Sequence, residues 1–308
     1  MLDIKENVSL AELSTFHVGG AARYAVSVLS VEELQEAIAW AKTNKVPYRV
    51  LGGCSNVLVG DAGYKGLIIW YRDKQVAIDE ESGYIEVGAG AITAVVAGAA
   101  ARAGLEGFEW AVGVPGTIGG AIYGNAGASG GEMKDAIREV YVLEKKGLVT
   151  YKVDACGFGY RTSRFKTNPG VIVGASMRLA RAEDSNAPLE KMKEVLKYRM
   201  ETQPKGLASS GCIFKNYELQ PGDAARLAGK NIPENFIAAG RIPTGWLIEH
   251  AGLKGFQIGT AQVSTVHGNF IVNVGDACAA DILALIEHIK KTVADTFGLV
   301  IEEEISLV

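Results

Sequence analysis

The stretch SSGCIFKN sets Cys212 behind two hydroxyl residues and a glycine, and ahead of Lys215 and Asn216. A thiol beside so flexible a turn can be a nucleophile, a metal ligand, a proton donor or filler. Metal binding needs suitable neighbours, but Cys54, Cys156, Cys212 and Cys278 include no CxxC pair. Nor do His17, His250, His267 and His288 include an HExxH motif or a close pair. No metal centre is expected. The run YRTSRFK (160–166) interleaves Arg161, Arg164 and Lys166 with Tyr160 and two hydroxyls. That pattern suits recognition of a carboxylate or phosphate, and equally a solvated basic face. The closing LVIEEEISLV (299–308) reads as a strand with Leu299, Ile301, Glu303, Ile305 and Leu307 on one face. Periodicity therefore marks Glu303 as the acid intruding on an apolar face, and a functional acid can equally be Glu302 or Glu304.

Thirty-eight glycines among 308 residues are clustered, chiefly in LGGCSN (51–56), VGAGAI (87–92) and GVPGTIGGAIYGNAGASGG (113–131). Such clusters mark tight turns or close approach of backbone to a ligand. VGAGAI lacks the third glycine of GxGxxG, with Thr93 in its place, and no GxxxxGK[ST] occurs. A nucleotide cofactor must therefore use another scaffold. GGCSN follows a strand and offers backbone N–H groups with the Ser55 and Asn56 side chains, a donor nest that suits a pyrophosphate. The long 113–127 run is a second surface against which an extended ligand could lie.

These residues need elements to hold them. SVEELQEAIAWAKTN (30–44) reads as a helix with a Ser30/Glu33 capping box and an apolar stripe of Leu34, Ile38 and Ala41. YRVL (48–51), GLIIWY (66–71), YIEVGAG (84–90), REVYVLE (138–144) and VTYKVD (149–154) read as strands. Residues 92–104 and 188–202 read as helices, with Pro204 and Gly206 marking a boundary. Residues 261–275 suggest a hairpin. The 279–298 segment reads as an amphipathic helix with a stripe of Ile282, Leu285, Ile286, Ile289 and Val293, ended by Gly298. The fold class is α+β.

A net charge of −4 gives no reason to expect nucleic acid or an anionic membrane as partner. No apolar run is long enough to span a bilayer. The opening MLDIKENVSLAELSTF has no apolar core segment, so a secretory leader is not expected and a reducing cytoplasmic setting is.

In order along the chain, STFHVGG (14–20), LGGCSNVLV (51–59), GVPGTIGGAIYGNAG (113–127), YRTSRFK, SSGCIFKN, LIEHAGLKG (247–255), VHGNFIVN (266–273) and IEEEI (301–305) resemble the blocks of the UDP-N-acetylenolpyruvoylglucosamine reductase family, in its shorter form. The resemblance covers nearly the whole chain. It implies an FAD-binding unit of the vanillyl-alcohol-oxidase (PCMH) type made of two lobes, residues 1–70 and 71–204, plus a C-terminal α+β substrate-binding lobe, 205–308. It implies FAD as bound cofactor, NADPH as co-substrate, a nucleotide-sugar substrate and a monomer. The implied reaction is reduction of UDP-N-acetylglucosamine enolpyruvate to UDP-N-acetylmuramate, with hydride passing from flavin N5 to C3. Arg161 and Glu304 take the positions that stabilise the resulting enolate. Cys212 takes the position of the acid that protonates C2. FAD contacts are implied at Gly52, Gly53, Cys54, Ser55, Asn56, Val57, Gly113, Val114, Pro115, Gly116, Gly119, Gly120, Tyr123, Gly124, Asn125 and Ala126. Substrate contacts are implied at Tyr160, Lys215, Asn216, Gln262, His267 and Asn269.

Four departures from the family pattern stand out. Cys212 replaces a serine, Cys54 a glycine of LGGGSN, and Glu303 the proline of LEPEV. Residues 217–246 form a longer link than usual. The rival readings are a flavin oxidoreductase of this fold with another substrate, a nucleotide-sugar binding protein without activity, and a covalent role for Cys212.

Overall fold

The computed structural model describes residues 2–168 and 170–308. It confirms the α+β class and divides the chain into two compact units. One holds residues 1–8, 22–54 and 64–201; the other holds 9–21, 55–63 and 202–308.

Two larger sheets frame the first unit. A four-stranded sheet runs in the order Lys5–Ser9, Ala21–Val28, Tyr64–Tyr71, Tyr48–Leu51. Its two pairings with Tyr64–Tyr71 are parallel. The helix Val31–Thr43 supplies the crossover, burying Leu34, Ala37, Ile38 and Ala41. The Ser30 hydroxyl accepts from the Glu33 amide at 3.2 Å as anticipated. The Glu33 carboxylate closes on the Leu29 amide at 2.7 Å, one residue ahead of the cap itself. The second sheet is antiparallel, ordered Gly147–Lys152, Ile137–Glu144, Val171–Arg178, Tyr84–Gly88, Val76–Asp79. Its strand Val171–Arg178 is buried nearly end to end. The core joins Leu34, Ile69, Val87, Ile122, Val140 and Ala175.

Two structural details position the first unit's functional segments. The glycines of VGAGAI serve chain crossing: a Cβ on Gly88 would sit 2.6 Å from the Asp73 carboxylate carbon, and one on Gly90 2.6 Å from the Arg72 carbonyl carbon. The strand end that follows then presents the carbonyls of Ala89 and Ala91, which accept from the Gly119 and Ile118 amides, both at 2.9 Å. Those two bonds seat the short helix Ile118–Gly124.

The second unit has a three-stranded antiparallel sheet, Gln257–Ile258, Ala261–Val263 and Ile271–Asn273. The helix Ala279–Phe297 buries the anticipated stripe of Ile282, Leu285, Ile286, Ile289 and Val293, and Gly298 caps it in the left-handed region. Its first two amides donate to Asp61, from Ala279 at 2.7 Å and Ala280 at 3.0 Å. A carboxylate from far back in the sequence thus occupies the helix N-terminus, where the backbone dipole favours it. The closing strand is shorter than anticipated. Only Ser306–Leu307 forms one, parallel to Val57–Leu58, with Glu303 in an isolated bridge to Phe214. Residues 299–305 are spent on several different partners, so no single ladder runs through them.

No described helix is long and apolar enough to cross a membrane. Asp61→Ala is expected to destabilise the second unit by about 1 kcal/mol, the usual worth of a helix cap. A lowered urea midpoint at unchanged slope checks it, and an unchanged midpoint would refute the capping role.

Candidate active site

The segment bearing Cys212 is held in the second unit from both sides. On one side Cys212 bridges Phe270, and the Ile213 amide donates to the Asn269 carbonyl at 2.9 Å. The buried Asn269 side chain then grips the next residue twice. Its Oδ1 accepts from the Phe214 amide at 2.9 Å and its Nδ2 donates to the Phe214 carbonyl at 2.7 Å. On the other side the Glu304 amide donates to the Ile213 carbonyl at 2.7 Å, and the Lys215 amide to the Glu302 carbonyl at 2.9 Å. Cys212, Lys215, Asn269 and Glu304 are thereby brought together. Asn216 joins them, its Oδ1 accepting from the Thr244 amide at 3.2 Å, while the buried Thr244 hydroxyl donates to the Lys215 carbonyl. Sequence reasoning missed Thr244. Its place before an apolar helical stretch, next to Pro243, was the available signal.

The three glutamates separate by partner. Glu302 pairs with Lys215 at 2.8 Å. Glu303 pairs with Lys290 of the long helix at 2.8 Å. Burial works to raise the Glu303 carboxyl, but the Lys290 hydrogen bond and charge outweigh it and hold the group below its ordinary value. This explains how an acid sits on a face shared with buried Leu299, Ile301 and Ile305. The Glu304 carbonyl accepts from Asn56 Nδ2 at 3.1 Å, so Asn56 is tied to the C-terminal segment by its side chain and, through Ser306, by its carbonyl. Val57 pairs in the adjoining strand, and Ser55 is half-buried.

His267 and Gln262 are structural in their contacts. The Asn269 amide donates to His267 Nδ1 at 3.2 Å, and the ring packs edge-on against Phe270. Accepting at Nδ1 requires that nitrogen to be unprotonated, and burial pushes the ring's pKa down, which keeps it neutral. Gln262 Nε2 donates to the Gly255 carbonyl and Gln257 Oε1, both at 3.3 Å.

In the first unit the two glycine-rich segments meet. A Cβ on Gly53 would lie 2.8 Å from Gly116 Cα, and one on Gly52 would lie 2.4 Å from Thr117 Oγ1. Cys54 adopts φ +50, a conformation that glycine enters without cost and that accounts for glycine in the family pattern. Burial pushes its thiol up to about 11, and the Sγ–H donates to the Gly52 carbonyl at 3.6 Å. Gly116, at φ +100, turns the chain into the short helix. The amides of Ile118, Gly119 and Gly120 are already bonded, to Ala91, Ala89 and the Thr117 hydroxyl. Gly120 and Gly124 show bare backbone: a Cβ on Gly124 would meet nothing within 4 Å, and one on Gly120 only Thr117, at 3.7 Å. That surface fits a flat ring or extended chain. Val114 packs on the core, Pro115 is exposed, and Gly113 lies beneath the Arg199 side chain. The Ala126 amide returns to the Ala121 carbonyl.

The YRTSRFK loop is built onto that helix. Gly159 and Thr162 exchange backbone bonds at 3.1 and 3.2 Å, and Arg161 sits in the turn at φ +53. Lys166 Nζ donates to the Arg161 carbonyl at 2.8 Å, and the Ser163 hydroxyl donates to the Tyr123 carbonyl at 2.7 Å. The Arg161 guanidinium lies 5.6 Å from the Tyr160 ring centre. Arg164 reaches the Ala155 carbonyl at 2.7 Å and covers the Tyr151 ring. Arg164 and Lys166 therefore fasten the loop. Asn125, at φ +44 and buried, donates to the Gly159 carbonyl at 3.0 Å and to Glu132 Oε2 at 2.6 Å. Glu132 was not singled out from sequence, although its spacing to Asp135 matches the capping box it forms. Among the described residues no group of three or more histidine, cysteine or acidic side chains could hold a metal.

Comparison with known proteins identifies what the chain is similar to. Residues 203–308 match the model of the UDP-N-acetylenolpyruvoylglucosamine reductase C-terminal domain, and residues 22–151 that of an FAD binding domain. The UDP-N-acetylenolpyruvoylglucosamine reductase of Synechococcus elongatus is 39% identical, over 99% of this chain and 94% of its own. That of Caldicellulosiruptor saccharolyticus is 38% identical, over 100% and 92%. The crystal structure of the Thermus caldophilus reductase superposes with a TM-score of 0.79 at 34% identity, covering 100% of this chain and 99% of that one.

The neutral His267 has a consequence for stability. As pH falls below 6.5, the ring's ordinary value, the unfolded chain binds a proton that the folded chain still refuses. Stability is thus full above that pH and declines below it, until the folded ring also titrates. His267→Gln is expected to flatten this part of the pH dependence in urea unfolding. An unaltered slope would exclude the buried ring as its source.

Proposed function

The chain belongs to the UDP-N-acetylenolpyruvoylglucosamine reductase family, and on that premise we propose that it reduces UDP-N-acetylglucosamine enolpyruvate to UDP-N-acetylmuramate in peptidoglycan synthesis. The observation that carries the reading is the backbone seam that fixes Cys212 and Glu304 as neighbours, through the Glu304 amide on the Ile213 carbonyl. Flavin binding alone gives no reason for such a seam in the unit outside the FAD-binding match.

The bare backbone of Gly120 and Gly124, with the packed Gly52–Cys54 turn beside Gly116 and Thr117, supports these segments as the cradle of FAD. When bound and reduced by NADPH, FAD supplies the hydride for C3 of the enolpyruvyl group. The chain's own residues then manage charge and proton. Negative charge spreads over C2 and the substrate carboxylate, where fixed donors and cations lower its energy. Arg161 supplies a guanidinium whose fork matches the two carboxylate oxygens. Glu304 assists as a hydrogen-bond donor in its protonated form. Among the three glutamates, the register of the family pattern to Ile305 selects Glu304. Cys212 gives the Sγ proton to C2, and a thiol is a stronger acid than the serine hydroxyl it replaces. Lys215 and Asn216 face the nucleotide-sugar, with the amide plane of Asn216 set by Thr244. Asn269 acts by holding Phe214, and so the segment on which Cys212 lies.

The activity test is purification of a yellow protein whose NADPH-reduced flavin reoxidises on addition of UDP-N-acetylglucosamine enolpyruvate. Reoxidation indifferent to that substrate would remove the assignment. Cys212→Ser is expected to stay within about tenfold of the parent, and Cys212→Ala to lose about 100-fold or more in kcat, the usual worth of a general acid. Equal losses in both variants would count against a proton-donor role.

A further inference from the structure

Asn125 stands where the family resemblance places a cofactor ligand, yet its side chain faces protein on every hydrogen-bonding atom. A primary amide carries two N–H donors and a carbonyl acceptor. Here Nδ2 donates to Glu132 Oε2 at 2.6 Å and to the Gly159 carbonyl at 3.0 Å. Oδ1 accepts from the Lys134 amide at 3.0 Å. The residue is 1% exposed and ends the short helix in the left-handed region, where asparagine is better tolerated than other side chains.

Together these bonds join three pieces of chain. The helix Ile118–Gly124 carries the bare glycine surface. Glu132 and Lys134 belong to the capping-box turn that follows. Gly159 is the first residue of the tight turn that holds Arg161 at φ +53. The Ser163 hydroxyl on the Tyr123 carbonyl pins the other side of the same turn to the same helix. The two bonds between Gly159 and Thr162, and Lys166 on the Arg161 carbonyl, also close the turn. A non-glycine residue in this conformation persists when its surroundings over-determine it.

We propose that Asn125, held by Glu132, is a positioning residue for Arg161: it sets the turn that aims the guanidinium and does not bind the cofactor. This rests on the catalytic assignment of Arg161 made above. Asn125 transmits its effect through the Gly159 carbonyl, so its loss should misplace one cation while leaving the glycine surface in place. Small misplacements of a catalytic group cost rate steeply, about 100-fold for an ångström.

Asn125→Gly separates the amide from the backbone, because glycine adopts φ +44 without strain. The expected result is a kcat lowered by about 100-fold, with KM changed far less and FAD content unchanged by its visible absorbance. In an Arg161→Ala background the same substitution should cost nothing further, because it acts only through that side chain. Full kcat in Asn125→Gly, loss of FAD, or losses that multiply in the double variant would each overturn the proposal. Full activity in Arg161→Ala alone would instead remove the catalytic assignment, and the inference with it. If Asn125→Gly does not accumulate as folded protein, Glu132→Ala carries the same test. It frees the amide without touching the helix end, and the same coupling to Arg161→Ala is expected.

Discussion

Residues 212 to 215 have no strand partner of their own length. They are held one residue at a time, by Asn269 and Phe270 on one edge and by Glu302 to Glu304 on the other. Side-chain amide bonds from Asn269 complete what a longer ladder would have done. Because Ile213 and Phe214 are fully buried, every one of their backbone groups must find a partner or cost the fold the price of an unmade hydrogen bond. The site inherits its order from that requirement. The residues flanking the buried pair, Cys212 and Lys215, are less buried, yet they cannot drift while their neighbours are locked.

The glycines divide into those the fold needs and those a ligand could use. Gly52 and Gly53 are required because the 52–54 turn packs on the 116–117 turn, Gly53 against the Gly116 backbone and Gly52 against the Thr117 side chain. Gly120 and Gly124 meet no such constraint from the protein, and they leave uncovered main chain. The amides at the start of their helix are already satisfied. What this segment offers a bound molecule is therefore surface more than donors.

Much of the frame was legible in the sequence. The helices Val31–Thr43, Thr93–Arg102, Ala187–Thr202 and Ala279–Phe297 follow from apolar periodicity and end signals. The strand Val171–Arg178 was missed because burial on both faces erases alternation. Ala21–Val28 was missed because its opening alanines carry little strand propensity. The last strand was overextended for the opposite reason. Its residues alternate well, but successive positions serve Phe214, Asn56 and Val57 in turn. Motif residues could be named from sequence, whereas the division of labour among them could not. Asn125 and Asn269 carry the same side chain as Asn216, and only their burial and partners show that they brace the chain.

The unit containing Cys212 and Glu304 is assembled from three stretches of chain, and Asn56 meets Glu304 across 248 residues. Contacts of such separation pay their closure entropy before they return any stability, and they form late. During synthesis, residues 9–21 and 55–63 must wait for partners that emerge after the whole of the other unit. The apolar side chains of Phe16, Val18 and Leu58, buried in the finished protein, are exposed throughout that interval. The first unit can complete its own core on the ribosome, so the proposed cofactor cradle matures before the proposed proton donor does. A chain stalled short of residue 302 would then hold a folded glycine surface in one unit and an unfinished seam in the other, a species vulnerable to proteolysis at its C-terminal side.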